Sequence, residues 1–123
     1  MIKVDFNIKN GYLDSIFIGD IRKEDLIEYI DATKINELYP RKLKILTDSK
    51  KANMLLSKSD LKDVVDANLK SLQQYDYIID AIVTKNPKET AYSFMYKELS
   101  ATKKYRFEVF STRDAAVEWL EMQ

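Results

Sequence analysis

Residues 80–120, DAIVTKNPKETAYSFMYKELSATKKYRFEVFSTRDAAVEWL, contain the succession of strand, helix, strand and helix on which the fold prediction rests. The apolar run at residues 81–83 is typical of a short strand buried on both faces. Asn86, Pro87 and Glu89 then form a helix start, with a capping side chain, a proline at the first helical position and an acidic residue three positions after the cap. Two strands joined by a helix at this spacing predict a parallel pair with a right-handed crossover.

The second half of this stretch predicts another strand and a final helix. The side chains of residues 105–110 would point alternately to the two faces of a sheet, and their pattern is that of a strand with at least one buried face. Ser111 and Asp114 have the spacing of a capping box, and the helix after them has one apolar face formed by Ala115, Ala116, Trp119 and Leu120. In the preceding helix, the apolar side chains that recur at helical spacing are Ala91, Phe94, Met95 and Leu99.

The chain begins with a predicted hairpin. Residues 2–8 alternate apolar and polar side chains, which predicts a strand with one solvent-facing side. Asn10-Gly11 is a strong hairpin signal, and residues 12–19 form the partner strand. Because residues 16–18 are a continuous apolar run, the partner strand is expected further inside the sheet, with the first strand at its edge.

The middle of the chain predicts a helix, a strand, a loop and a second helix. The first helix is expected from about residue 22 to residue 38, and the third strand covers residues 43–48. Residues 49–53 are polar and are predicted to form a loop. A capping box formed by Ser57 and Asp60 starts the next helix, which is expected to end between residues 74 and 78.

These elements predict a single α/β domain over residues 1–123. Its mixed sheet has about five strands, with an N-terminal antiparallel hairpin followed by parallel β-α units, and about four helices pack against it. A chain of this length buries roughly two-thirds of its unfolded surface, so it can fold without disulfides or metals. The sequence contains no cysteine, which agrees with that expectation.

Composition also limits the classes of function. The sequence has 20 basic and 20 acidic residues, a balance that argues against a nucleic-acid binder. The start of the chain lacks a signal-peptide pattern, and no run approaches the apolar length of a membrane span, so we expect a cytoplasmic protein without a transmembrane segment. Histidine and cysteine are absent and neither glycine belongs to a phosphate-binding loop. We therefore expect no enzyme activity, no metal and no cofactor.

The order of elements, the length and the ending RFEVFSTRDAAVEWL resemble the STAS-like proteins related to bacterial anti-sigma-factor antagonists. Within that group the chain is most similar to the small stand-alone SpoIIAA-like proteins, whose fold is also compared with SEC14-type lipid-binding domains. The resemblance covers nearly the whole chain. It implies a non-enzymatic binding or regulatory module that acts through protein partners or a small ligand. The alternative that it implies is a SEC14-like carrier of a lipid or another apolar or anionic small molecule.

The same resemblance directs attention to the serines after the third strand. The anti-sigma-factor antagonists carry a phosphorylatable serine there, within an Asp-Ser-Ser/Thr-Gly-like pattern. This chain has DSKK at residues 48–51 and SKSD at residues 57–60, with no glycine between them. Ser57 and Ser59 are therefore the candidate phospho-switch, whereas the alternative role of Ser57 is to cap the following helix.

The first of these two segments is a candidate ligand rim. Asp48 ends the third strand and Ser49, Lys50 and Lys51 follow it, and parallel sheets often bind ligands at this end of their strands. Residues 34–58 contain seven basic and two acidic residues, so this segment carries +5 and the remainder of the chain −5. It is either a basic rim for an anionic ligand, an acidic partner or a membrane surface, or an ordinary solvated face. The alternative role of Asp48 is to close an Asx-type turn through its side chain.

Tyr92 and Tyr96 form the last candidate site. Both tyrosines lie beside the apolar stripe of their helix. The helix is therefore apolar around more of its circumference than one face of the sheet can cover. A protein partner or a homodimer would cover the tyrosines, which are favoured at interfaces. The alternative is that they pack against a neighbouring helix.

Overall fold

The computed structural model describes residues 1–123 as one five-stranded sheet with four helices. The strands are β1 (Ile2–Asn7), β2 (Tyr12–Arg22), β3 (Lys42–Leu55), β4 (Tyr77–Val83) and β5 (Tyr105–Phe110). The helices are α1 (Lys23–Ile35), α2 (Lys58–Leu72), α3 (Pro87–Ser100) and α4 (Arg113–Glu121). The strands lie in the order β1-β2-β3-β4-β5, with β1 antiparallel to β2 and the others parallel. The predicted mixed α/β class and the edge position of the first strand are confirmed.

The order of the strands decides where the helices lie. Each crossover from β2 to β5 moves one place in the same direction, so right-handed connections bring α1, α2 and α3 to one face of the sheet. We call this the three-helix face. α4 packs on the opposite face, where Ala116 and Leu120 are fully buried against Leu46, Ile79 and Ala81. Ile78 and Ile82, which alternate with the β4 residues of that face, belong to the three-helix face.

β3 is much longer than expected, and the predicted loop at residues 49–53 is wrong. These residues continue the strand and pair with the second half of β2, after a register shift between Ile16 and Ile18. β4 pairs with β3 only as far as Asp48. β2 and β3 therefore continue beyond β4 as a two-stranded ribbon, because backbone pairing with β2 holds even polar residues in a strand.

Several element ends differ from the sequence prediction. α1 ends at Ile35, because Asn36 has an extended backbone, and Leu38 is 89% exposed. α2 ends at Leu72, before the predicted range, and β4 begins at Tyr77, well before the apolar run that marked it. Apolar periodicity marks the buried residues of an element better than its ends.

Two of the three predicted helix caps also differ. Asn86 is at the N-cap of α3 but its side chain makes no capping hydrogen bond. α4 is capped by Thr112, whose hydroxyl accepts from Ala115 N at 3.2 Å, instead of by Ser111. Ser57 and Asp60 do form the predicted capping box at α2.

α3 is turned away from its predicted orientation. Phe94 and Leu99 of the predicted apolar stripe are 51% and 52% exposed, whereas Glu89, Ser93 and Ser100 are buried. Ser93 and Ser100 donate to backbone carbonyls one turn earlier in the helix, at 2.8 and 2.6 Å. Because these hydroxyls are satisfied within the helix, their burial costs little, and hydropathy did not indicate the buried side.

Glu89 joins α3 to the β2–β3 ribbon. Its Oε2 accepts from the buried Met54 N at 3.1 Å and lies 3.6 Å from Lys88 Nζ. Met54 lies on the part of β3 that has no β4 partner, so the carboxylate replaces the missing strand as acceptor.

We expect Glu89→Ala to lower the free energy of unfolding by roughly 1–3 kcal/mol, because Met54 N would be left buried without an acceptor. Chemical denaturation of the two proteins measures the difference. Glu98→Ala, at an exposed position of the same helix, is the matched control and should change stability by less than about 0.5 kcal/mol. Equal effects of the two substitutions would contradict the role of Glu89.

Candidate functional site

A cavity of about 90 Å³ lies between the three-helix face and helices α1, α2 and α3. This volume has room for roughly half a dozen water molecules or a compact organic group. Of its 21 lining residues, 15 are hydrophobic, so the walls suit an apolar occupant. Helix α3 contributes Tyr92 and Tyr96 to the walls, and the sheet and helices α1 and α2 contribute apolar side chains that include Phe17, Leu26, Ile30, Met54, Val64, Ile82 and Phe107.

The carboxyl group of Asp80 lines this cavity. Its Oδ1 accepts from Thr47 Oγ1 at 3.0 Å, and its Oδ2 accepts from the Tyr105 hydroxyl at 3.1 Å. Burial raises the pKa of Asp80 to about 7, although the two hydrogen bonds favour the ionised form. The Asp80 residue as a whole is half-buried. Near neutral pH this group can therefore exist with or without its proton.

Three tyrosines surround the carboxyl group. Burial raises the pKa values of Tyr29, Tyr96 and Tyr105, so all three are neutral phenols at physiological pH. The Tyr29 hydroxyl lies 2.7 Å from Ser15 Oγ. The Tyr96 ring packs edge-on against Tyr105 and Phe107, with centroids 6.2 and 5.0 Å apart. The phenols give the cavity a rigid aromatic wall with neutral hydrogen-bonding groups.

Asn68 supplies a polar group without a partner. It lies on α2, lines the cavity and is 6% exposed, and its Nδ2 has no hydrogen-bond partner. A buried amide donor without an acceptor costs roughly 1–3 kcal/mol. Most buried polar groups are satisfied, so this exception indicates a place where a bound molecule or water would supply an acceptor.

Sequence reasoning missed both of these polar residues, although each had a signal. Asp80 interrupts the apolar run of β4, YIIDAIV, and Asn68 lies four residues from both Val64 and Leu72 in the apolar stripe of α2. An acidic or amide residue at a position that periodicity predicts to be buried needs a specific partner. That criterion would have selected both residues.

The structure places the candidate serines at the surface. Ser57 Oγ accepts from Asp60 N at 3.1 Å, and Asp60 Oδ2 accepts from Ser57 N at 2.9 Å. Ser57 Oγ also lies 3.0 Å from Ser59 Oγ, and both residues are exposed. Ser57 thus performs the capping role, and phosphorylation of either serine stays a prediction.

The candidate ligand rim lies in β3, apart from the cavity. Asp48 Oδ1 accepts from Lys50 N at 3.0 Å, the local bond expected of an Asx-type turn, and Asp48 also forms an ion pair with Lys50 at 3.9 Å. Ser49 is 1% exposed and donates to Val83 O at 2.8 Å, so its hydroxyl is already used within the sheet, and ligand binding by the four rim residues stays a prediction. Lys51 is exposed. None of these four residues lines the cavity.

Part of the basic segment around the rim has a structural role. The Arg41 guanidinium donates to the backbone carbonyls of Asn36, Tyr39 and Gln74. Lys44 Nζ donates to Leu120 O at 2.8 Å, which ties β3 to α4. These two charges are therefore bound to the protein's own carbonyls instead of forming a free anion site.

Tyr92 and Tyr96 both line the cavity. The Tyr92 hydroxyl donates to Leu56 O at 2.8 Å, and both rings pack against the buried clusters under α3. Of the two interpretations of these tyrosines, the structure therefore favours internal packing over an exposed protein interface.

No helix of the structure is long and apolar enough to cross a lipid bilayer. No group of three or more histidine, cysteine, aspartate or glutamate side chains is arranged to hold a metal ion.

Comparison with known proteins identifies the fold. No protein-family model matches the chain, and no curated protein matches it. A solved structure matches it with a TM-score of 0.63, covering 98% of this chain and 92% of its own. That structure is an uncharacterized protein of the DUF3478 family with a SpoIIAA-like fold, from Shewanella loihica PV-4, and it is 16% identical. The chain has a SpoIIAA-like fold, and the predicted STAS-like resemblance is confirmed at that level.

We expect the stability of the protein to depend on pH through Asp80. The folded state keeps a proton on Asp80 up to about pH 7, whereas the unfolded chain releases it near pH 4. The free energy of unfolding of the wild type should therefore fall between about pH 4 and pH 7, relative to Asp80→Asn, and the difference should be constant above that range. We expect a fall of roughly 2 kcal/mol, because access of water from the cavity weakens the effect of burial. Denaturant titrations across this pH range measure it, and parallel curves for the two proteins would contradict it.

Ser57→Ala should lower the free energy of unfolding by about 1 kcal/mol, because the Asp60 amide loses its cap. Ser59→Ala, which removes a neighbouring exposed hydroxyl without a capping role, should have a smaller effect. Thermal and denaturant unfolding distinguish the two. If both substitutions are neutral, the capping box contributes nothing measurable.

Proposed function

We propose that the chain is a non-enzymatic binding module that holds one compact, neutral molecule in the cavity between the sheet and helices α1–α3. The observation that carries the proposal is a largely apolar cavity of about 90 Å³ with an unpaired buried amide in its wall. Such cavities with a few convergent polar groups are the usual binding sites of small molecules.

The charges around the cavity support a neutral ligand. No lysine or arginine lines it, whereas Asp80 does. An anionic group would meet this carboxyl without a compensating cation, and burying an unpaired charge is costly. The cavity therefore does not suit the anionic ligand considered from the sequence.

The polar end of the ligand should carry an oxygen that accepts a hydrogen bond. Asn68 Nδ2 is an unused donor, and both Asp80 oxygens already accept from Thr47 and Tyr105. A carbonyl, ester or hydroxyl oxygen would satisfy the amide. The rest of the ligand would contact the apolar and aromatic walls.

The size of the cavity limits the ligand. A volume of about 90 Å³ is below that of an engineered cavity of about 150 Å³ that binds benzene. A whole lipid with its acyl chains would require the helices to separate, so the SEC14-like alternative is supported only for a compact cargo.

The arrangement around Asp80 supports binding over catalysis. A carboxyl with a pKa near neutrality can act as a general acid or base. Here both oxygens are held by hydroxyl donors of the protein, and no second carboxylate, histidine or cysteine lines the cavity. Such a group can anchor and orient a ligand.

A regulatory role through protein association is the second candidate. It is favoured by the outward side of α3, where Ala91, Phe94 and Leu99 are exposed. An exposed apolar surface of this kind is a common feature of interaction sites.

Native mass spectrometry of the protein purified from its own host tests the proposal. The gently ionised protein should carry an added mass of one small molecule that is lost on denaturation, and the mass identifies the compound. A protein that carries no added mass and is not stabilised by any compact neutral compound in a thermal-shift screen would overturn the binding function in favour of protein association.

Asn68→Leu should separate ligand binding from folding. Removing the unpaired amide should raise the free energy of unfolding of the empty protein by roughly 1 kcal/mol, while lowering affinity for the bound compound by about tenfold through loss of one hydrogen bond. Titration calorimetry and denaturation measure the two effects. Asn86→Leu is the control, since Asn86 is exposed and its side chain makes no capping bond; it should change neither affinity nor stability appreciably. Unchanged ligand affinity in Asn68→Leu would show that the amide does not contact the ligand.

A further inference from the structure

The two edges of the sheet differ in how they are protected. At β5, Lys97 of α3 lies on the three-helix face and Glu108 on the opposite face, so their 2.7 Å ion pair passes over the outer edge of the strand. Charged side chains placed across an edge discourage a further strand from pairing there. β1 has no such cover, because it pairs with β2 alone and none of the ion pairs lies on it.

The free backbone groups of β1 can be identified from its pairing with β2. Met1 N donates to Ile18 O at 2.8 Å, and Ile18 N donates to Met1 O at 2.9 Å. Backbone groups alternate in direction along an antiparallel strand, so Lys3 and Asp5 also bond to β2. The N–H and C=O groups of the residues between them point outward: Ile2, Val4 and Phe6.

We propose that β1 pairs with β1 of a second copy of this chain, antiparallel and about a two-fold axis at Val4, so that two sheets become one continuous sheet. In this register, Val4 lies opposite Val4 of the second copy and Ile2 lies opposite Phe6. All of these residues have outward-facing backbone groups, so each pair exchanges two hydrogen bonds. Val4 is 48% exposed in the single chain and would become covered.

The charges on β1 select this register. Lys3 would lie directly opposite Asp5 of the second copy, and Asp5 opposite Lys3, which gives two cross-strand pairs of opposite charge. A shift of the two-fold axis to Lys3 or to Asp5 would instead place Lys3 opposite Lys3 of the second copy, or Asp5 opposite Asp5. The same surface is thus complementary to itself in one register and repulsive in the next, as a two-fold interface requires.

Val4→Pro tests the pairing without disturbing the fold. The Val4 N–H faces outward, so proline removes a hydrogen bond to the second copy but none within the chain. Analytical ultracentrifugation over a range of concentrations should show a wild-type dimer and a folded Val4→Pro monomer. Val109→Pro is the matched control, because the β4–β5 ladder uses the neighbouring Glu108 and Phe110 and the Val109 N–H also faces outward. It should leave the dimer intact.

A charge exchange tests the register. Asp5→Lys alone and Lys3→Asp alone should each weaken the dimer by about tenfold or more, because both cross-strand pairs become repulsive. Mixing these two variants should restore a heterodimer, and the double variant Lys3→Asp/Asp5→Lys should restore a homodimer.

A wild-type protein that remains monomeric at its highest soluble concentration overturns the proposal. So does a dimer that Val4→Pro and the two single charge variants leave unchanged, since it would use another surface. Circular dichroism melting curves of each variant confirm that a monomer is folded.

Discussion

The unequal lengths of β3 and its two neighbours govern the rest of this structure. β3 has fourteen residues and pairs with β2 to its end, whereas β4 has seven and stops pairing at Asp48. The β2–β3 ribbon beyond that point has no β4 to satisfy its open side. α3 takes over this role through Glu89, which accepts from Met54 N, and through Tyr92, which donates to Leu56 O.

The position of α3 explains the polar character of the interior. Since Glu89 and Tyr92 must reach the ribbon, the side of α3 that faces the sheet carries tyrosines, serines and a glutamate. Beneath it, Asp80 is held between the Thr47 and Tyr105 hydroxyls, and Asn68 faces the remaining space. Long aromatic rings and fixed polar groups do not fill this layer as closely as aliphatic side chains would. A cavity with apolar walls and a few polar groups is the result.

The sheet edges show a second consequence of the topology. Sequential strand order leaves β1 and β5 at the two ends, and of these two edge strands β5 is the one that lies beside both α3 and α4. Lys97 can therefore reach Glu108 across β5, while β1 has no helix close enough to cover it in the same way. The proposed binding site and the proposed β1 interface thus lie on different parts of the fold, so each can be altered separately.

The sequence by itself determined the number, type and order of the elements, because the hairpin signal at Asn10-Gly11, the capping box at Ser57 and the apolar runs of the strands are local properties. Gly11 indeed has a φ of +76°, which few other residues adopt. Tertiary structure alone decided the length of β3 and the rotation of α3, since both depend on pairing with residues far away in the chain. Periodicity predicted that Ala91, Phe94 and Leu99 form the buried side of α3. The hydrogen bonds of Glu89, Tyr92 and Ser93 instead turn the other side of the helix toward the sheet. Local patterns mark Asp80 and Asn68 as polar residues at buried positions, but only the packing of the helices on the sheet brings them into the wall of one cavity.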